Sequence, residues 1–226
     1  MFKQLPFRWA FTRFHSNLEF RQGEPVDSFG IEQLEESFND ERKMASQVAV
    51  LDYQNGGDFI IELKTNETDD RLILANITPK ATLEKTIAAV EGRIAGKKPT
   101  KMENMANLYI PVLNFDLSRE YTELYGKPVH TDSPKVNDTL IEIAAQFIRF
   151  RLDETGAVLQ SEGGMWGGGT IPKNLVFDGP FLILLKRRES KQPYFALWIG
   201  NRELLVSTPE PKRTENLPPG WTVGSR

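Results

Sequence analysis

The chain has 226 residues, 39% apolar and 26% charged, with a net charge of −3. That balance excludes a disordered tail, no run approaches the roughly 18 consecutive apolar residues of a membrane helix, and no long basic face supports nucleic-acid binding. There is no cysteine, which excludes disulfides, thiolate metal sites and a thiol nucleophile, and leaves a core of ordinary packing for a chain long enough to build one.

From the N-terminus, "MFKQLPFRWAFTRF" lacks the short apolar block and small-residue cleavage site of a secretory signal, so the compartment stays open. Residues 5–14 are aromatic and apolar, and Trp9, Trp198 and the phenylalanines read as core. "HSNLEFRQGEPVDSFGI", 15–31, places Gly23 and Pro25 between strand-like pieces, which predicts a hairpin or a bent connection. "IEQLEESFNDERKM", 31–44, reads either as a helix through Ile31, Leu34 and Phe38 or as a strand followed by a charged loop; its carboxylates read as a solvated face, without metal-loop spacing. "SQVAVLDYQNGGDFIIEL", 46–63, predicts two strands around "QNGG", with Asn-Gly supplying positive φ angles. "RLILANI", 71–77, is a strand.

"TPKATLEKTIAAVEGRI", 78–94, predicts a helix: Leu83, Ile87, Val90 and Ile94 share a face, and Thr78 or Thr82 caps it. "AGKKPTKMENMA" reads as a polar loop, and "KRR" at 186–188 as a solvated turn or strand end. "NLYIPVLNFDL", 107–117, is a strand whose Pro111 demands an edge or a bulge. "SREYTELYG", 118–126, predicts a short helix capped by Ser118 and stopped by Gly126. "KPVHTDSPKVN" is a loop, 139–145 is ambiguous, and "QFIRFRL" alternates as a strand. Then comes a span with six glycines between 156 and 169, which reads either as a connector or as an exposed recognition loop. "NLVF", "PFLILLK" and "PYFALWIG" follow as strands, the last two apolar enough to be central. From 207 onward the proline-rich stretch predicts an extended tail, which leaves one region over 1–206 and the tail over 207–226. The sum is a strand-rich, mostly antiparallel α+β fold with two or three short helices.

Catalytic signatures are absent from the sequence. His15 and His130 lie far apart, and no Gly-x-Ser-x-Gly, P-loop or His-Glu-x-x-His motif occurs, so the sequence reads as a non-enzyme with no cofactor and no metal. Asn-x-Ser/Thr triplets at Asn66, Asn76 and Asn137 read as chance occurrences.

The order of the pieces resembles the C-terminal part of the serpins, the serine protease inhibitor family. "LPFRWAFTRF" is similar to a serpin segment with a Trp followed by a Phe, with Phe7 where a glycine is usual. "QVAVLDYQNGGDFIIEL" is similar to the serpin hairpin with a Pro-Tyr turn, with Asp52 in place of the proline. "NLYIPVLNFDLSREYTELYG" resembles the strand with Leu-Pro and the helix after it, and "AQFIRFRLDETGAV" the strand that enters the reactive loop. Phe177, Pro180, Phe181, Pro193, Phe195 and Gly200 match the buried C-terminal hairpin. The likeness runs over residues 5–200.

The resemblance implies a reactive-type loop over 153–173, with a hinge at Glu154, Thr155, Gly156 and Ala157. It places a scissile bond near Gly169–Thr170, whereas Met165 and Trp166 are the side chains suited to a protease pocket. A serine protease is then the implied partner through 157–170, and the extracellular space the implied compartment, with the cytoplasm the other option. In a serpin the cleaved hinge side inserts as a strand into the main sheet, which demands small side chains. Val158, Leu159, Gln160 and Glu162 are larger, and the receiving strand and the N-terminal helices would precede residue 1. The expectation is therefore a serpin-like module without the N-terminal helices and part of the main sheet, presenting a loop without working as a suicide inhibitor. The alternatives are an endopeptidase inhibitor whose N-terminal part lies elsewhere, and a structural or binding module with no protease partner. Either residues 1–45 cover the exposed sheet, or the chain self-associates through an open sheet edge.

Overall fold

The computed structural model describes residues 3–34, 38–103, 106–155 and 173–207. In chain order these form β1 (Thr12–Glu19), β2 (Pro25–Ile31), α1 (Asn39–Ser46), β3 (Val48–Asn55), β4 (Asp58–Leu63), β5 (Asp70–Asn76), α2 (Leu83–Ile94), β6 (Thr100–Lys101), β7 (Leu108–Pro111), β8 (Leu113–Glu120), β9 (Ala145–Leu152), β10 (Leu175–Val176), β11 (Phe181–Arg187) and β12 (Phe195–Ile199). They make three sheets: four strands ordered β1-β2-β7-β10, six ordered β12-β11-β5-β4-β3-β6, and a two-stranded ribbon β8-β9. Every pairing is antiparallel except β7 with β10.

The inner strands of the six-stranded sheet are buried on both sides, which is why they read as nearly continuous apolar runs. Phe59, Ile61, Leu72, Leu74, Phe181 and Ile183 face the main core. The alternate residues Ile60, Ile73, Ala75, Leu182 and Leu184 face a second cluster closed by Val90 of α2. Thr82 caps α2 as expected, its hydroxyl accepting the Lys85 N–H at 3.2 Å. Of the expected apolar face of α2, Val90 is buried, Ile87 and Ile94 are partly buried, and Leu83 is exposed. A phenylalanine cluster fills the main core, with Phe177 in edge contact with both Phe59 and Phe181 at 4.9 and 5.1 Å between ring centres.

Several local expectations are corrected. The hairpin between β3 and β4 turns on Gly56 and Gly57, and neither glycine nor Asn55 adopts a positive φ. Instead the Asn55 side chain accepts the Gly57 N–H at 2.9 Å, closing the turn from the strand end. Residues 118–120 continue β8 in register with β9, so Ser118 caps nothing; only Thr122–Leu124 forms a single 3-10 turn before Gly126 at φ 69. Alternating Leu113, Phe115 and Leu117 against Leu152, Phe150 and Ile148 outweighs local helix preference there. Residues 31–44 split, with Ile31 ending β2 and the helix starting only at Asn39. The expected polar loop after α2 carries β6, and β12 lies at the sheet's edge, half-buried, rather than at its centre. Lys186 is buried and pairs with Glu91 at 2.8 Å, so "KRR" is not a wholly solvated turn. Trp9, Phe38 and Phe147 are exposed, outside the core expected for the aromatic set.

Pro111 meets its constraint through a change of sheet. It pairs with Ser28 of β2, beyond the two residues of β7 that β10 reaches. At Val112 the chain leaves the four-stranded sheet and starts the ribbon.

Candidate functional site

Residues 156–172 join β9 of the ribbon to β10 of the four-stranded sheet, and both roots of that span are fixed by charged side chains. β9 and β11 belong to different sheets, so they are not hairpin neighbours.

At the upstream root, alternation along β9 ends with Leu152 inside the core and Asp153 buried beside it. Asp153 closes a local turn: its carboxylate accepts the Thr155 N–H at 2.9 Å and the Thr155 hydroxyl at 2.5 Å, and it pairs with Arg151. Burial pushes the Asp153 pKa up, but the bonds from Thr155 and Arg151 outweigh it, and the carboxyl titrates below its ordinary range.

Glu154, next in the chain, is held by Arg13 of β1 at 2.8 Å. The same guanidinium reaches Asp27 of β2 at 2.7 Å. Asp27 is 1% exposed, and it also receives the Ser16 N–H at 3.1 Å and faces His15 Nδ1 at 3.2 Å. The β1–β2 hairpin makes this possible. Ser16, at φ 46, bulges β1, and the register shift turns its N–H toward Asp27. Burial works against the Arg13 charge, the bonds to Asp27 and Glu154 more than offset it, and the Arg13 pKa rises. The chain of charges Asp27–Arg13–Glu154 thus ties the start of the span to the four-stranded sheet.

At the downstream root, Lys173 pairs with Glu103 at 2.6 Å and its ammonium lies 5.8 Å from the centre of the Tyr53 ring. The Asn174 side chain accepts from both the N–H and the side-chain amide of Asn107, at 3.0 and 3.1 Å. Leu175 and Phe177 then donate main-chain bonds to Asn107 and Tyr109. A cleft of about 340 Å³ opens beside this root, lined by Tyr53, Lys97, Lys98, Lys101, Glu103 and Lys173 among others.

Of the residues singled out from the sequence, Glu154 and Thr155 are placed here, at the upstream root. Gly156, Ala157, Met165, Trp166, Gly169 and Thr170 lie outside the described residues. Arg13, Asp27 and Asp153 carry no motif in the sequence; a single carboxylate inside the apolar strand "PVDSFGI" is the available signal, because a buried charge demands a partner. Asp52 stands where the resemblance has a proline. Asp52 is buried at a bulge of β3, where Arg93 and Lys97 hold it. His15 faces Asp27 and His130 faces Asp138, and no cluster among the described residues could hold a metal ion.

Solved structures share this fold. A serpin of the insect Tenebrio molitor, described as highly specific, superposes with a TM-score of 0.50 at 11% identity over 87% of this chain. The fold is serpin-like. A thyroxine-binding globulin in complex with thyroxine gives 0.54 at 10% identity over 88% of the chain, and SRPN18 of Anopheles gambiae gives 0.51 at 10% identity over 87%. The serpin-like chain spans about half the length of these structures, 53 to 54% of each. No protein-family model and no curated protein sequence matches it. No helix among its described residues is long and apolar enough to cross a membrane.

Proposed function

We propose that this serpin-like chain presents residues 156–172 to a protein partner, a serine protease in the first instance, and does not trap that partner by inserting the span as a strand. The carrying observation is the ribbon. Insertion needs a slot between two strands that part, and β9, the strand leading into the span, has only β8 as a hydrogen-bonded neighbour among the described residues. Two further features support the reading. Glu154 is tied to Arg13, and Asp153 pins Thr155 in a local turn, so the hinge must break both to extend β9. On an inserting strand Ala157, Leu159 and Ser161 would share one face and Val158, Gln160 and Glu162 the other, and either face carries a side chain larger than a packed slot accepts readily.

The experiment is incubation with chymotrypsin-like and elastase-like proteases. Expected are cleavage within 163–170, no SDS-stable complex, and no rise in melting temperature after cleavage. An SDS-stable complex, or a clear rise in melting temperature, would overturn this reading in favour of an endopeptidase inhibitor whose remaining part is supplied elsewhere. A chain that no such protease cleaves would favour a structural module with no protease partner.

A further inference from the structure

Among the described residues the outer edge of β9 pairs with no strand, and neither does that of β12, which is only five residues long. β6 and β10 are two residues long, β6 with Lys98 and Lys101 about it, and β1 is broken at Ser16. These are the usual ways of blunting an edge. β9 runs eight residues in unbroken register, with no proline and no lysine. Its two arginines each have an acid partner within the chain, Arg149 with Asp116 at 2.6 Å and Arg151 with Asp153, and Arg149 stays largely exposed. The outer edge of β8 is less free: Leu205 bridges Leu113 at its base, and it carries Asp116 and Glu120.

The phase of the ladder is fixed by one bond. Tyr121 donates its N–H to the Ala144 carbonyl, continuing the β8–β9 register in which opposed residue numbers sum to the same value. Even-numbered residues of β9 therefore turn their main-chain groups toward β8. Ala145, Phe147, Arg149 and Arg151 turn theirs to the open edge. Phe147, 72% exposed, and Leu117, 46% exposed, are apolar side chains left in solvent on the same ribbon.

We propose that β9 forms a two-fold interface between two copies of this chain, pairing antiparallel through its outer edge to make a four-stranded sheet β8-β9-β9-β8. Self-pairing keeps residues of like parity opposed, so the candidate registers centre on 147, 148, 149 or 150. Centring on 149 opposes Arg149 to itself, and centring on 150 opposes Arg149 to Arg151. Centring on Ile148 sets Arg149 over Phe147 of the second copy twice, opposes Ile148 to itself, and lets the four outward residues of each strand exchange eight main-chain hydrogen bonds. Centring on 147 loses both cation–ring pairs. In the register centred on Ile148 each Phe147, 72% exposed in the single chain, gains the Arg149 side chain of the second copy as a neighbour on its own face.

The chain has no cysteine, so a single introduced one reports the register. In the full chain, Ile148→Cys should give a covalent dimer on mild oxidation, because directly opposed residues of this pair type have Cα atoms about 4.5 Å apart. Phe147→Cys and Arg149→Cys should not, because each meets its own copy only on a diagonal of about 7–8 Å. In light scattering at micromolar concentration the unaltered chain should be a dimer. Phe147→Lys, placed against Arg149 of the second copy, should weaken it at least tenfold and clearly more than Phe147→Glu, which also loses the ring but sets an opposite charge against Arg149. Equal crosslinking at 147 and 148, or loss of the dimer with both Phe147 variants alike, would overturn the proposal. So would a monomer in which the Phe147 and Arg149 amides are already protected from exchange, which would assign the edge to the chain's own 156–172 span.

Discussion

Arg13 serves two acids at once, one buried and one at the surface, and the two should separate on substitution. Asp27 loses its main countercharge in Arg13→Ala, and breaking a buried pair by removing one partner costs about 3–5 kcal/mol. The Ser16 N–H and His15 remain beside Asp27, so the lower end, about 3 kcal/mol, is expected. Glu154 is partly exposed, and Glu154→Gln should cost no more than about 1 kcal/mol. Equilibrium unfolding in urea reads both. Equal losses would mean that Arg13 acts mainly on the hinge, and that Asp27 is satisfied without it.

At the scale of elements, two glycines show what close packing permits. Gly30 of β2 has φ 156, and a Cβ there would lie 1.7 Å from the Leu108 carbonyl oxygen of β7. Backbone cannot yield as a flexible side chain can, so Gly30→Ala must force β2 and β7 apart at the centre of the four-stranded sheet. More than about 3 kcal/mol should be lost. Gly92 lies on the exposed side of α2 with nothing within 4 Å, and Gly92→Ala should add about 0.5–1 kcal/mol through helix propensity alone. Thermal unfolding of the two variants should move in opposite directions, and a neutral Gly30→Ala would mean that the strands are not held this closely. The contrast also shows which elements the sequence disclosed. The helix 83–94 and the strands 48–63 were legible because period and capping act locally. Residues 118–120 were misread because their partner, Phe147 and its neighbours, lies about thirty residues downstream. Asn-Gly at 55–56 suggested the wrong turn, because the strand twist is met by a bulge between Tyr53 and Asn55 rather than by positive φ.

For the whole molecule, the order of strands was readable from their sequence, whereas the distribution of strength among the sheets was not. Strand order follows local apolar patterns in succession, and those stand in the chain. Strength depends on how many neighbours each strand acquires after folding, which no local pattern records. β5 and β11 each lie between two strands with α2 and the main core on their faces, so Leu74 and Ile183 are 0% exposed. β8 and β9 have each other, and the apolar side chains lose their cover toward the tip: Leu113 is buried, Phe115 is partly buried, and Leu117 is exposed. The bonds there can open without breaking the core, and opening free energy falls where buried apolar contact is sparse. Native-state hydrogen exchange should therefore give Leu74 and Ile183 the protection of global unfolding. The Ile148 amide, bonded toward β8, should exchange through an opening of much lower free energy when the chain is dilute. If the ribbon amides instead exchange only with global unfolding at every concentration, the ribbon is part of the core's cooperative unit, and its exposed leucine and phenylalanine have a cover within the chain.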